Sequence, residues 1–276
     1  MIKNILVGYS GGHGSEVAFR LAMGLAHAAQ ARLHVAYVEP LAAQADVAVS
    51  PEVSADAYPP VLPDTSAAPP DDPSEAPSVF ADLAEQCREE RVQCTFTHLH
   101  GDAGSRLCEL ARRAGLLVLG RHDDMPGAGA SPLGRVARQV ATRMPAPLLL
   151  AAREHQDIRS LTLVYEPTSI GGRALALAGE ISHVQNLGLN AVALGDEHVT
   201  PAAAAEEART ALRAYHVEGD VLPLPTSGAE ALQTAALTWN DALLVLPAPP
   251  KRWLSRPLDS LRPALALPNR GVLLVP

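Results

Sequence analysis

Two glycine-rich segments of the 276-residue chain carry chemistry that needs few side chains. The first, Ser10-Gly11-Gly12-His13-Gly14-Ser15, follows a short apolar run. Glycines in such a turn reach positive φ and turn backbone N–H groups outward, and a helix starting there adds partial positive charge, so the segment suits an anion. A tight strand-to-helix turn uses the same glycines with no ligand at all. The second segment runs from Gly120 through Arg121, Gly127, Gly129, Ser131 and Gly134 to Arg135. Ser131 followed by Pro132 is expected to cap and open a helix carrying Leu133, Val136, Val140 and Met144 on one face, a second anion-friendly helix start. Arg121 and Arg135 would supply charge to such an anion, or else be solvated.

Cys94, His98 and His100 share strand parity, a donor set that suits zinc, although parity alone would place them on one face of any regular strand. Cys87 and Cys108 fall on the apolar faces of helices and read as small core residues. No Ser/His/Asp arrangement has assignable roles, so neither a catalytic residue nor a metal ligand is expected.

The elements that must position these loops are short apolar runs alternating with helix-periodic segments. IKNILVGY (2–9), RLHVAYV (32–38), QCTFTHL (93–99), GLLVLG (115–120) and PLLLAA (147–152) read as strands, and the continuous apolar character of several implies a parallel sheet covered on both faces. The order then repeats in LTLVY (161–165), LNAVAL (189–194), the 217–224 region, ALLVL (242–246) and GVLLV (271–275). This predicts an α/β protein of two tandem five-stranded units, residues 1–153 and 159–276, joined by the polar stretch 154–160. Residues 40–77 interrupt the first copy with nine prolines and no Lys or Arg, and read as an inserted, solvated loop, with a lid as the alternative. In an open sheet of this kind the loops after the first and fourth strands face each other at the topological switch point, where ligands bind.

Composition narrows the function classes. A formal net charge of −8 and only ten aromatic residues are unsuited to nucleic-acid binding. No apolar run approaches the ~20 residues of a membrane helix. An odd count of three cysteines, no CxxC pair and no signal peptide predict reduced thiols in the cytoplasm.

The opening ILVGYSGG (5–12), the run HGDAGSRLCELARRAGLLVLG (100–120) and the glycine-rich loop leading through PLGRVARQVATRMPAPLLLA (132–151) resemble the universal stress protein family in its tandem form. In the second half the best segment is LTLVYEPTSIGGRALALA (161–178). The resemblance implies strand order 3-2-1-4-5 in each unit and pairing of the last strands into an internal pseudo-dimer, with a homodimer as the alternative use of an exposed last strand. It also implies a crevice for ATP, here built from Ser10, Gly11, Gly12, Val38, Gly120, Arg121, Gly127, Gly129, Ser131, Gly134 and Arg135.

The match to the family's Gly-x2-Gly-x9-Gly-Ser/Thr loop departs at several places. Asp123 stands at the second glycine, Gly134 fits the last only with one extra residue, Arg135 replaces the hydroxyl residue, and Ser10 aligns with the family's usual Asp. In the second unit the corresponding loop, from Pro247 through Lys251, Arg252, Trp253 and Arg256, has no glycine, so that site is expected to be lost. Its basic residues would meet an acidic partner or water. The function implied is a non-catalytic stress-response regulator with a modified adenine-nucleotide or phosphate crevice and an unidentified protein partner. The alternatives are a scaffold binding no nucleotide, or an ATP-using enzyme, since Ser10–Ser15 also resembles the Ser-Gly-Gly-x-Asp-Ser loop of ATP pyrophosphatases with Gly14 in place of the acid.

Overall fold

The computed structural model describes residues 2–39, 79–121, 133–154, 158–225, 233–235, 237–239, 242–248 and 270–276. The 40–77 insertion, Gly127, Gly129 and Ser131, and the basic residues Lys251, Arg252 and Arg256 with Trp253 lie outside them.

The first half alternates β1 (Asn4–Tyr9), α1 (His13–Ala29), β2 (Arg32–Glu39), α2 (Val79–Glu89), β3 (Cys94–His100), α3 (Ala103–Ala111), β4 (Leu116–Leu119), α4 (Arg135–Arg143) and β5 (Leu148–Leu150). The second half follows with β6 (Ser160–Tyr165), α5 (Ser169–Gln185), β7 (Gly188–Leu194), α6 (Pro201–Ala214), β8 (Val221–Leu224), β9 (Ala242–Pro247) and β10 (Val272–Val275).

These strands form one ten-stranded sheet in the order β3-β2-β1-β4-β5-β10-β9-β6-β7-β8, so each half reads 3-2-1-4-5 in its own strands. The last strands of the two units pair, as the family resemblance implies, so the two five-stranded units share one continuous sheet. The seam is the antiparallel pair β5–β10, with Leu150, Leu149 and Leu148 opposite Val272, Leu273 and Leu274. All six residues are fully buried, so each half covers an apolar edge that the other would otherwise expose. Every other strand pair is parallel.

Alternation along the strands divides the core. Ile5, Val7, Leu33, Val35, Leu116 and Val118 face the side covered by α1 and α2. Leu6, Ala36, Leu117 and Leu119 face the side covered by α3 and α4. Burial on both faces is why these strands are continuously apolar. Across the seam, the Gln185 side chain of α5 donates to the Gly24 carbonyl of α1 at 3.2 Å.

Two expectations are corrected. The thiols of Cys87 and Cys94 are joined in a disulfide, not reduced. A tight turn after α2, with Arg91 at φ 55°, folds the last turn of α2 back against the start of β3 and brings the two Cα atoms to 6.3 Å, inside bonding reach. Cys108 stays in the core, as expected. The cap of α4 is Gly134, not Ser131, and Leu133 precedes the helix. Ser131 and Pro132 lie outside the described residues; α4 begins at Arg135, and the Gly134 N–H donates to the Arg121 carbonyl at 2.7 Å.

Candidate functional site

A crevice opens at the carboxyl ends of β1, β2 and β4, lined by Gly8, Tyr9, Ser10, Ser15, Ala36, Val38, Ala103, Leu107, Leu119, Gly120, Val136 and Ala137. Adjacency of β1 and β4, with Val7 opposite Val118, is what brings the first and fourth loops together. The approach is close enough to demand glycine: a Cβ on Gly120 would stand 2.6 Å from the Gly14 carbonyl carbon and oxygen. Gly11 holds φ at +82°, the left-handed conformation that glycine adopts without strain.

Of the residues expected from sequence, Ser10, Val38 and Gly120 line this crevice. Gly12 and Gly134 cap α1 and α4, neither with a side-chain hydrogen bond. Arg121 is placed elsewhere: it is 2 % exposed and its guanidinium donates to the Arg270 carbonyl, across the molecule in the second half. Burial pushes it down to about 10, which leaves it charged at neutral pH. Arg135 is exposed at the rim, its Nη1 donating to Asp102 Oδ1 at 3.2 Å.

Asp102, not singled out by sequence reasoning, organises that rim. Its carboxylate caps α3, accepting from Ser105 N–H at 3.0 Å, and also accepts from Gln139 Nε2 of α4 at 2.6 Å. The Ser105 hydrogen bonding first, and then those of Gln139 and Arg135, hold its pKa down at about 2. An Asp three residues before Ser105 at a loop–helix boundary is the signal that would have found it. The walls Ala103, Leu107, Val136 and Ala137 were missed because nothing in their types distinguishes them from other core-facing helix positions.

On the opposite face, Tyr9 OH donates to Glu16 Oε2 at 3.1 Å, and burial together with that carboxylate pushes the phenol up to about 12. Cys94 cannot join His98 and His100 around one ion. It is bonded to Cys87, and four residues of strand separate it from His98 by ~13 Å. The residue that does meet both histidines is Glu39, the last of β2.

The second half differs at the equivalent place. The Thr168 hydroxyl caps α5, accepting from Gly171 N–H at 3.0 Å. Glu166, which follows β6 as Ser10 follows β1, is half-buried, and desolvation raises its pKa.

Fold and crevice together define an open, mostly parallel α/β protein with a cleft at its topological switch point. The model of the universal stress protein family matches residues 1–152, and the chain belongs to that family. Among solved structures, a universal stress protein from Archaeoglobus fulgidus superposes with a TM-score of 0.67 at 11% identity, covering 98% of this chain and 97% of its own. A protein of unknown function from Pseudomonas aeruginosa reaches 0.63 at 14% identity over 99% and 92%. The cytoplasmic domain of a prokaryotic cation chloride cotransporter reaches 0.60 at 13% identity over 100% and 95%. These likenesses concern the fold. A comparison with curated protein sequences finds none that matches. No helix among the described residues is long and apolar enough to cross a membrane.

Proposed function

We propose that the chain is a non-catalytic stress-response regulator in which one unit, residues 1–153, holds a phosphate-bearing ligand of the adenine-nucleotide class, and the other, residues 159–276, is structural. The observation that carries this is an asymmetry of helix caps. Helices α3, α5 and α6 are capped by their own side chains, Asp102, Thr168 and Thr200. Of the three helices that start at the crevice, α3 is closed by Asp102, whereas α1 and α4 begin on glycine and have no such cap. Helix geometry leaves the N–H groups of His13 and Gly14, and of Arg135 and Val136, outside the hydrogen-bond ladder, and the helix dipole adds positive potential there. An anion would complete both helix ends.

The remaining lining fits the rest of such a ligand. Ala36, Val38, Leu107 and Leu119 offer apolar walls for a flat base, and Ser10 offers a hydroxyl at the mouth. In the second unit Thr168 already satisfies the helix start, and Glu166 would repel a phosphate. One observation favours a second reading, a scaffold that takes no nucleotide: among the described residues no Lys or Arg lines the crevice, Arg121 being turned into the core and Arg135 engaged by Asp102.

Isothermal titration of the full chain with ATP and ADP, with and without magnesium, tests the proposal. Saturation at one site per chain with no phosphate release supports it; absence of heat supports the scaffold. Turnover that disappears when Ser10 and Gly12 are replaced would overturn the non-catalytic reading.

A further inference from the structure

We propose that Glu39, His98 and His100 form a binding site for a divalent transition-metal ion of the zinc type, on the face of the sheet opposite the crevice and independent of any ligand held there.

The site is assembled by strand register. Parallel pairing of β2 with β3 sets Tyr37 opposite His98 and Glu39 opposite His100. His98 and His100, two apart on one strand, project to the same face, and their ring centroids lie 4.7 Å apart. Glu39 Oε2 stands 3.2 Å from His98 Nε2 and 3.8 Å from His100 Nδ1, and one ligand atom from each residue lies within 4.8 Å of the others. Bonds of ~2.0–2.1 Å in tetrahedral geometry require donors ~3.3 Å apart, so the ligands need only small side-chain shifts.

Two features hold the donors in place. The His98 ring packs against Tyr37 at 5.4 Å, leaving the side chain 18 % exposed. Gly101 N–H donates to the Glu39 carbonyl at 2.9 Å, tying the end of β2 to the end of β3. An ordinary surface ion pair would need one imidazole; here two converge on the same carboxylate oxygen, in a geometry an exposed pair gains little from adopting.

Two imidazoles and one carboxylate select the class of ion. They suit zinc, cobalt, nickel or copper, whereas calcium and magnesium take oxygen ligands. Half exposure of Glu39 and His100 leaves the remaining coordination positions to water and lets the ion exchange with solvent, unlike a closed structural site.

Isothermal titration of the oxidised full chain with zinc chloride, without reductant, tests the assignment. One zinc ion per chain is expected, with at least tenfold weaker binding in each of His98→Ala and His100→Ala, a smaller loss in Glu39→Gln, and no change in His27→Ala or His183→Ala. The Glu39→Gln variant alters charge without removing bulk and so separates ligation from misfolding. Cobalt(II) should give visible d–d bands without a thiolate charge-transfer band. The proposal is overturned by an absence of saturable binding. It is equally overturned by zinc affinity that survives in both histidine variants, or that is lost only on replacing Cys87 and Cys94.

Discussion

Arg135 Nη1 donates to Asp102 Oδ1 at 3.2 Å, joining the first residue of one helix to the cap of another across the rim of the crevice. Asp102 is thus both the cap of α3 and the point where α4 is held. Replacing it with Ala should cost about 1 kcal/mol for the lost cap. Asn keeps the cap and removes only the charge, so it should retain most of that stability at neutral pH.

The same carboxylate sets an acid limb. Its folded pKa, held at about 2, is below its unfolded value, so its contribution is complete above the unfolded pKa of ~3.9 and is lost as pH falls through about 2. Thermal melts from pH 5 to pH 2 should show a shallower loss in Asp102→Asn than in the wild type. Parallel curves would show that the charge is not coupled to folding.

Gly134→Asp should separate stability from binding. The cap residue has φ −62° and ψ 168°, open to any amino acid, and an Asp there would cap α4 with its own carboxylate. Stability is expected to rise by a few tenths of a kcal/mol, about the advantage of Asp over Gly as a cap. ATP affinity measured by titration should fall at least tenfold, because the introduced carboxylate takes the same N–H groups and repels the anion. Unchanged affinity would put the ligand elsewhere.

Gly120→Ala and Gly24→Ala should move stability in opposite directions. The first forces a Cβ to 2.6 Å from backbone atoms of Gly14, which cannot swing away, and should cost about 1–3 kcal/mol as overpacking does. The second meets nothing within 4 Å in the interior of α1 and should gain about 0.5–1 kcal/mol. Chemical denaturation of the two variants side by side checks the sign.

The Cys87–Cys94 bond closes a short loop, its partners 7 residues apart. On the chain-entropy account a loop of that size contributes about 2.5 kcal/mol. Reductant should therefore lower the melting temperature of the wild type by several degrees and leave Cys87→Ser/Cys94→Ser unchanged. Equal melting of oxidised and reduced wild type would show that the link constrains nothing.

Several strands were legible because they are short and apolar on both faces, as a covered parallel sheet requires; Leu116–Leu119 and Leu161–Tyr165 are of this kind. The duplicated order was legible for the same reason, and so were Gly11 and Gly120, the one with a left-handed backbone and the other with Gly14 too close for a Cβ. What lay beyond a linear reading were relations between distant segments. The seam residues Leu148–Leu150 and Val272–Leu274 are apolar like most other strands; the resemblance implied that last strands pair, but their antiparallel register, which merges ten strands into one sheet, came only from the structure. Arg121 looked like a charge aimed at the crevice until the Arg270 carbonyl, 149 residues away, showed where its guanidinium goes. Cys94 shared parity with His98 and His100, but Glu39 reaches them through register with the neighbouring strand. Local patterns decide which surface a residue must bury; which partner it meets there is decided by the packing of strands and helices far apart in the chain.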